Sequence, residues 1–227
     1  MENKILFNAR LRMIGFRISI PNSEKFTGTF TSSDCDIEET LIECLYEARD
    51  DNRLLKILLD WIRTHGEHVI LEKFFKKLKD WEKHRGKTLL LELLIGVAIV
   101  SGHKKWKRHL KTNPAKPIYP YDEVLSKSSI SVKGKNQELA KLGILVSSNF
   151  LDSKKNDVLS VEELIKTNIQ YKNRFLFGPN FRADILSAIE TGAENRFRIS
   201  KSLSCSYESV HRIFKEYNLW KTADSKA

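Results

Sequence analysis

The chain has 227 residues, enough for one large domain or two to three small ones with a substantial buried core. Hydrophobic residues make up 41% and charged residues 30%, with only 10 Gly and 5 Pro, which excludes a collagen-like or low-complexity polymer. The 39 Lys and Arg against 29 Asp and Glu leave a net charge of +10, a field that draws polyanions such as nucleic acid or an anionic membrane surface.

The excess is uneven along the chain. Residues 73–117 hold 13 Lys and Arg against 3 Asp and Glu, and residues 171–227 hold 10 against 6. The three cysteines, Cys35, Cys44 and Cys205, have neither zinc-knuckle nor redox-pair spacing, so reduced thiols are expected. The first sixteen residues lack an apolar h-region with a cleavage site, which points to a cytoplasmic protein.

Residues 10–20 alternate partly in the manner of a strand that Pro21 ends, and residues 26–33 read as a loop. Helical periodicity begins after Asp34 or Asp36, either of which can serve as N-cap, with Ile37, Leu41, Cys44, Leu45 and Ala48 on one face. A second helix follows Asp51, carrying Leu54, Leu55, Ile57, Leu58, Trp61 and Ile62 towards Gly66. A third, from Val69 to Trp81, stops before Gly86. A fourth is capped by Thr88 and runs to Val100. The apolar run Leu89–Val100 is too short for a membrane span, which takes about 20 residues, and is read as a core helix. Four such stripes with short connections predict an N-terminal helical bundle over residues 1–115. Pro114, Pro117 and Pro120 mark its end.

Residues 116–170 read as a small mixed α/β segment. A short helix over Asn136–Leu142 with Gly143 as its terminator precedes an Ile144-Leu145-Val146 strand, a polar turn over 152–157 and a second strand at Val158-Leu159. That order fits either a degenerate winged helix or an unrelated α/β connector. Ser160 and Glu163 then form a capping box for a helix reaching about Tyr171.

In residues 171–227 the pattern sharpens. A helix opened by Pro179 and Phe181 carries Ile185, Leu186 and Ile189 and ends near Gly192. A short helix carries Ile199 and Leu203, Ser204-Cys205 makes a turn, and Ser206 starts a longer helix with Val210, Ile213, Phe214 and Tyr217 on one side. Ile199-Ser200, Leu203, the turn, Ser206, Ser209-Val210, Arg212, Phe214 and Tyr217 fall at the spacing of a helix-turn-helix. This stretch of about 45 residues resembles the winged-helix transcriptional regulators of the ArsR/MarR kind. The resemblance implies double-stranded DNA as partner. Ser206 and Ser209 would lie on phosphate, Tyr207, His211 and Arg212 at base edges, and Arg196, Arg198 and Lys201 along the backbone. It also implies a homodimer, because one helix in one groove reads too few bases. Two features depart from the family. Only seven residues follow Trp220, too few for a wing, and Glu208 sits where phosphate should approach.

A second basic patch, Lys104, Lys105, Lys107, Arg108 and Lys111 around Trp106, reads either as a phosphate-binding edge or as a solvated helix end with Trp106 and Leu110 in the core. Acidic pairs such as Glu38-Glu39 read as solvated helix faces. No nucleotide-binding loop, nucleophile elbow or metal-ligand set stands out, so neither enzyme activity, metal nor cofactor is expected. The rival to DNA binding is a non-catalytic interaction scaffold that uses the C-terminal unit for packing.

Overall fold

The computed structural model describes residues 2–18, 35–152 and 157–224. Helices account for 68% of the structure and strand for 4%, the latter confined to isolated bridges. The protein is therefore mainly α. Among the described residues no helix is long and apolar enough to cross a membrane.

Local sequence explains most helix starts. Helix α1 spans Glu2–Met13, so the first part of the segment read as strand-like is helical, and Phe16 beyond it makes a single bridge to Val158. The remainder of that segment from residue 19, and the loop read at 26–33, lie outside the described residues. Asp36 caps α2 (Ile37–Glu47) by accepting from the Glu39 amide, and Asp51 caps α3 (Asn52–His65) through the Arg53 and Leu54 amides. A 3-10 turn over Gly66–His68 links α3 to α4 (Leu71–Arg85), which ends at Gly86. Helix α5 (Leu90–Val100) is apolar apart from Glu92, and Leu91, Leu93, Leu94, Ile95, Val97 and Ala98 are all buried, as suits the central helix of a bundle.

The segment read as mixed α/β is instead helical. It contains α6 (Glu123–Lys133), α7 (Gln137–Lys141), α8 (Val161–Thr167) and the start of α9 (Ile169–Phe177). A wing would need Ile144-Leu145-Val146 to pair with Val158-Leu159. Instead the Leu145 amide donates to the Ile118 carbonyl, the Asn136 amide donates to Val146, and Val158 bridges Phe16. The two strand-like pieces are drawn to different partners, so no hairpin forms, and the winged-helix reading falls. Of the turn read between them, residues 153–156 lie outside the described residues. Gly143 does terminate α7, with φ +79°; a Cβ there would lie 2.7 Å from the Asn113 carbonyl. The capping box at Ser160 and Glu163 forms, but Asn168 breaks the helix it starts and caps α9.

One apolar core runs continuously from Phe7 to Tyr171 and includes Leu139, Ile144, Val146 and Leu164. At its edge His65 is fully buried between Tyr171 and Leu159. Its Nε2–H donates to the Leu159 carbonyl at 2.9 Å, so Nδ1 accepts from the Tyr171 hydroxyl at 2.7 Å. The bond from Tyr171 needs the neutral imidazole, and burial depresses the His65 pKa to about 4 against the Leu159 carbonyl, which favours the protonated ring. The unfolded chain, with an ordinary histidine, binds that proton more readily. The stability from His65 is thus complete above about pH 6.5 and is lost as pH falls towards 4, by roughly 3 kcal/mol. Urea unfolding across this range should show the loss, and a His65→Leu variant should show a correspondingly shallower pH dependence.

Candidate nucleic-acid interface

The last three helices, α10 (Phe181–Glu190), α11 (Arg196–Ser202) and α12 (Tyr207–Asp224), enclose a core of their own. Ile185, Ile199, Leu203, Val210, Ile213 and Phe214 form it, and they are residues the sequence pattern selects. Asn180 caps α10 and Asn195 caps α11. The turn between α11 and α12 is sharp because Ser204 adopts φ +56°, and Ser204 is the one described residue other than Gly to do so. Ser206 accepts from the Ser209 amide at 3.2 Å and so caps α12, which runs three helical turns further than its last core residue.

Burial of Val210, Ile213 and Phe214 fixes the roll of α12 and leaves Ser206, Tyr207, Glu208, His211, Arg212 and Lys215 exposed. Tyr207 and His211 stack with ring centroids 6.2 Å apart, one turn along the helix. Arg196 folds back onto this helix, its guanidinium 3.0 Å from His211 Nδ1 and over the Phe214 ring. It therefore positions His211 and stands apart from the outer cations. Arg198 and Lys201 are exposed on α11, Lys201 beside the ring of Phe197. Ser209 is only partly exposed and its hydroxyl is held by Ser206 at 2.7 Å, so these two serines serve the cap first.

The second basic patch divides. Trp106 is fully buried against Phe74 and Phe75, and its indole N–H donates to the Gly66 carbonyl. Lys105 turns inward to donate to the carbonyls of Glu67 and Val69, which removes it from the set of free cations. Burial lowers its pKa. Lys104, Lys107, Arg108 and Lys111 remain exposed.

Helix α4 joins the two regions. Phe75 stacks on His109 at 3.9 Å, while Lys76 donates to the Ser204 carbonyl at the α11–α12 turn. Glu72, Lys76, Lys79 and Lys83, at helical three- and four-residue spacing, form the exposed stripe between these contacts. Lys83 is paired with Asp80. Lys76 and Lys79 thus lie between the Lys104–Lys111 segment and the start of α12, a connection that sequence reading did not supply.

Beneath this surface lies a cluster of buried charges. Arg174 on α9 uses all five N–H donors: two to Glu38, two to Asp184 and one to the His68 carbonyl. Lys73 on α4 reaches Asp36, Asp184 and Glu38 at 2.6, 2.7 and 3.3 Å. Arg174, Lys73, Glu38 and Asp184 have fully buried side chains. Glu38 is therefore no solvated face residue, contrary to the sequence expectation. It also accepts from the Ile70 amide at the start of α4. Both cations hold the Asp184 carboxyl down to about 2, against the opposing effect of burial. The cluster ties α10, the first helix of the C-terminal unit, to α2, α4 and α9.

All three cysteines are unpaired, and burial pushes the Cys35 thiol up to about 12. Among the described residues no group of three or more His, Cys, Asp or Glu side chains could hold a metal ion. No protein-family model, curated protein or solved structure matches the chain.

Proposed function

We propose that this protein binds double-stranded DNA through α10–α12 acting as a helix-turn-helix, with the first turns of α12 entering the major groove, and that it serves as a transcriptional regulator. The observation that carries the reading is the division of α12. One side is sealed by Val210, Ile213 and Phe214, and the other presents Tyr207, His211 and Arg212 to solvent at its N-terminal end. A helix N-terminus with capped amides favours phosphate nearby, and Arg212 has the planar donors that match a guanine edge. The left-handed Ser204 permits the tight turn that such a unit requires. The larger helical body would then act as a sensing or assembly module, and two copies would read a full site.

Random duplex DNA titrated at low salt, followed by fluorescence anisotropy, tests the reading. Binding should weaken with salt, and Arg212→Ala should cost about 1–3 kcal/mol against a preferred sequence. Arg198→Ala should weaken all sequences alike and reduce the salt slope by about 1. Absence of binding at low salt, or indifference to both substitutions, overturns it. The charge cluster at α10 favours a second reading, in which the unit is a packing element of the body, and that reading would then stand.

A further inference from the structure

Between the body and the C-terminal unit lies a cavity of about 450 Å³, within the range of small-molecule sites. Its walls come from the residues around Asp36 on one side, from α9 and α10, and from the start of α11. Three features define what it can hold. First, Gln170 on α9 lines it, is 7% exposed, and has a side-chain oxygen with no hydrogen-bond partner. A buried acceptor of this kind costs free energy until a donor meets it, and rotation about the soft terminal torsion of glutamine can turn the oxygen to the cavity. Second, the wall is negative. Asp36, Glu38, Glu39, Asp184 and Glu194 outnumber by one the cations around them, which are Lys73, Arg174, Lys77 (2.7 Å from Glu39 and 3.8 Å from Asp36) and Arg198. Lys77 and Arg198 are the cations among the described lining residues. Third, Ile169, Ala188 and Ile199 supply an apolar strip.

We infer that this cavity is a binding site for a small organic amine in its protonated form, with the ammonium group donating to Gln170 and lying within the field of the carboxylates, and a short apolar body against Ile169 and Ile199. An anion would meet Arg198 and a Lys77 already held by Glu39 and Asp36, against the surplus of carboxylates. A neutral alcohol could donate to Gln170 but would gain nothing from the negative wall. The site also lies under Asn195 and Arg198, the cap and the exposed cation of α11. Resting on the DNA-binding reading, an added positive charge there strengthens the grip on phosphate.

Thermal unfolding of the full chain with isoamylamine, phenethylamine or cadaverine, each beside its alcohol and carboxylate analogues, tests the site without DNA. At least one amine at millimolar concentration should raise the midpoint by about 2–4 °C while its analogues do not. Gln170→Leu should abolish that rise and leave the unliganded midpoint unchanged or higher, since it removes an orphaned polar group. Failure of all three amines, an equal rise with the alcohols, or an unaltered rise in Gln170→Leu overturns the site. DNA titrations with and without the stabilising amine then test the coupling. Tightening by about fivefold supports it, and no change or weakening overturns it. Absence of DNA binding with an intact amine response would remove the regulator reading and leave the amine site in place.

Discussion

Arg174→Met is expected to destabilise the protein by about 3–5 kcal/mol, enough to threaten folding of an ordinary domain. The substitution removes five hydrogen bonds and leaves Glu38 and Asp184 buried with Lys73 as their one remaining full charge partner. Most of that cost comes from stranding carboxylates in a low-dielectric interior. Attraction lost from a well-made pair is the smaller part. The companion variant makes the distinction measurable. With Glu38, Lys73, Arg174 and Asp184 all replaced by Leu or Met, the fully buried charges vanish, Asp36 keeps Lys77 at 3.8 Å and part of its exposure, and urea unfolding should return a stability near that of the parent. If Arg174→Met alone unfolds at the parental urea concentration, the cluster contributes nothing to stability. If the fourfold variant is as weak as the single one, attraction and geometry matter more than stranding. In the fourfold variant the tie between α10 and the body becomes non-directional, so the C-terminal unit should dock less uniquely even where stability is restored.

The same residues show what was legible in the sequence and what was not. The apolar stripes of α2, α3 and α4 and the core of α10–α12 follow a period of 3.6, and the Asp36 and Asp51 caps and the capping box at Ser160 follow local spacing, both of which a sequence displays directly. Local chemistry sufficed for those features. The charge cluster joins residues 136 positions apart, Glu38 and Arg174, and no spacing rule connects them. The available hint was a charge beside apolar neighbours, Lys73 before Phe74-Phe75 and Asp184 between Ala183 and Ile185. The wing failed for a related reason. Short apolar runs such as Ile144-Leu145-Val146 have strand propensity but no built-in partner, and here Ile118 and Asn136 took the backbone groups that a hairpin would have used. The exposure of Tyr207, His211 and Arg212 was legible from the roll of α12. The inward turn of Lys105 and the folding of Arg196 onto His211 depend on neighbours that only the fold supplies.

On the proposed DNA-binding reading, reversing two charges on α4 should have the largest effect on affinity that can be achieved without touching the C-terminal helices. Lys76 and Lys79 are exposed on a stripe that adjoins the α11–α12 turn on one side and the Trp106 segment on the other. DNA laid along the start of α12 would bring phosphates over that stripe, and each lysine would release counterions from the duplex. Lys76→Glu with Lys79→Glu replaces two attractions by two repulsions, so binding at low salt should weaken by about 100-fold and the salt slope should fall by about 2. The fold should tolerate the change. Lys79 is exposed, and the 3.2 Å bond from Lys76 to Ser204 is exposed and replaceable by water. A control with the same change in net charge, Lys127→Glu with Lys133→Glu on α6, separates local contact from general attraction. The control should weaken binding only a few-fold at low salt and leave the slope nearly intact. Equal losses in both variants would mean that the net charge of +10, and not a path from α4 to α12, draws the polyanion.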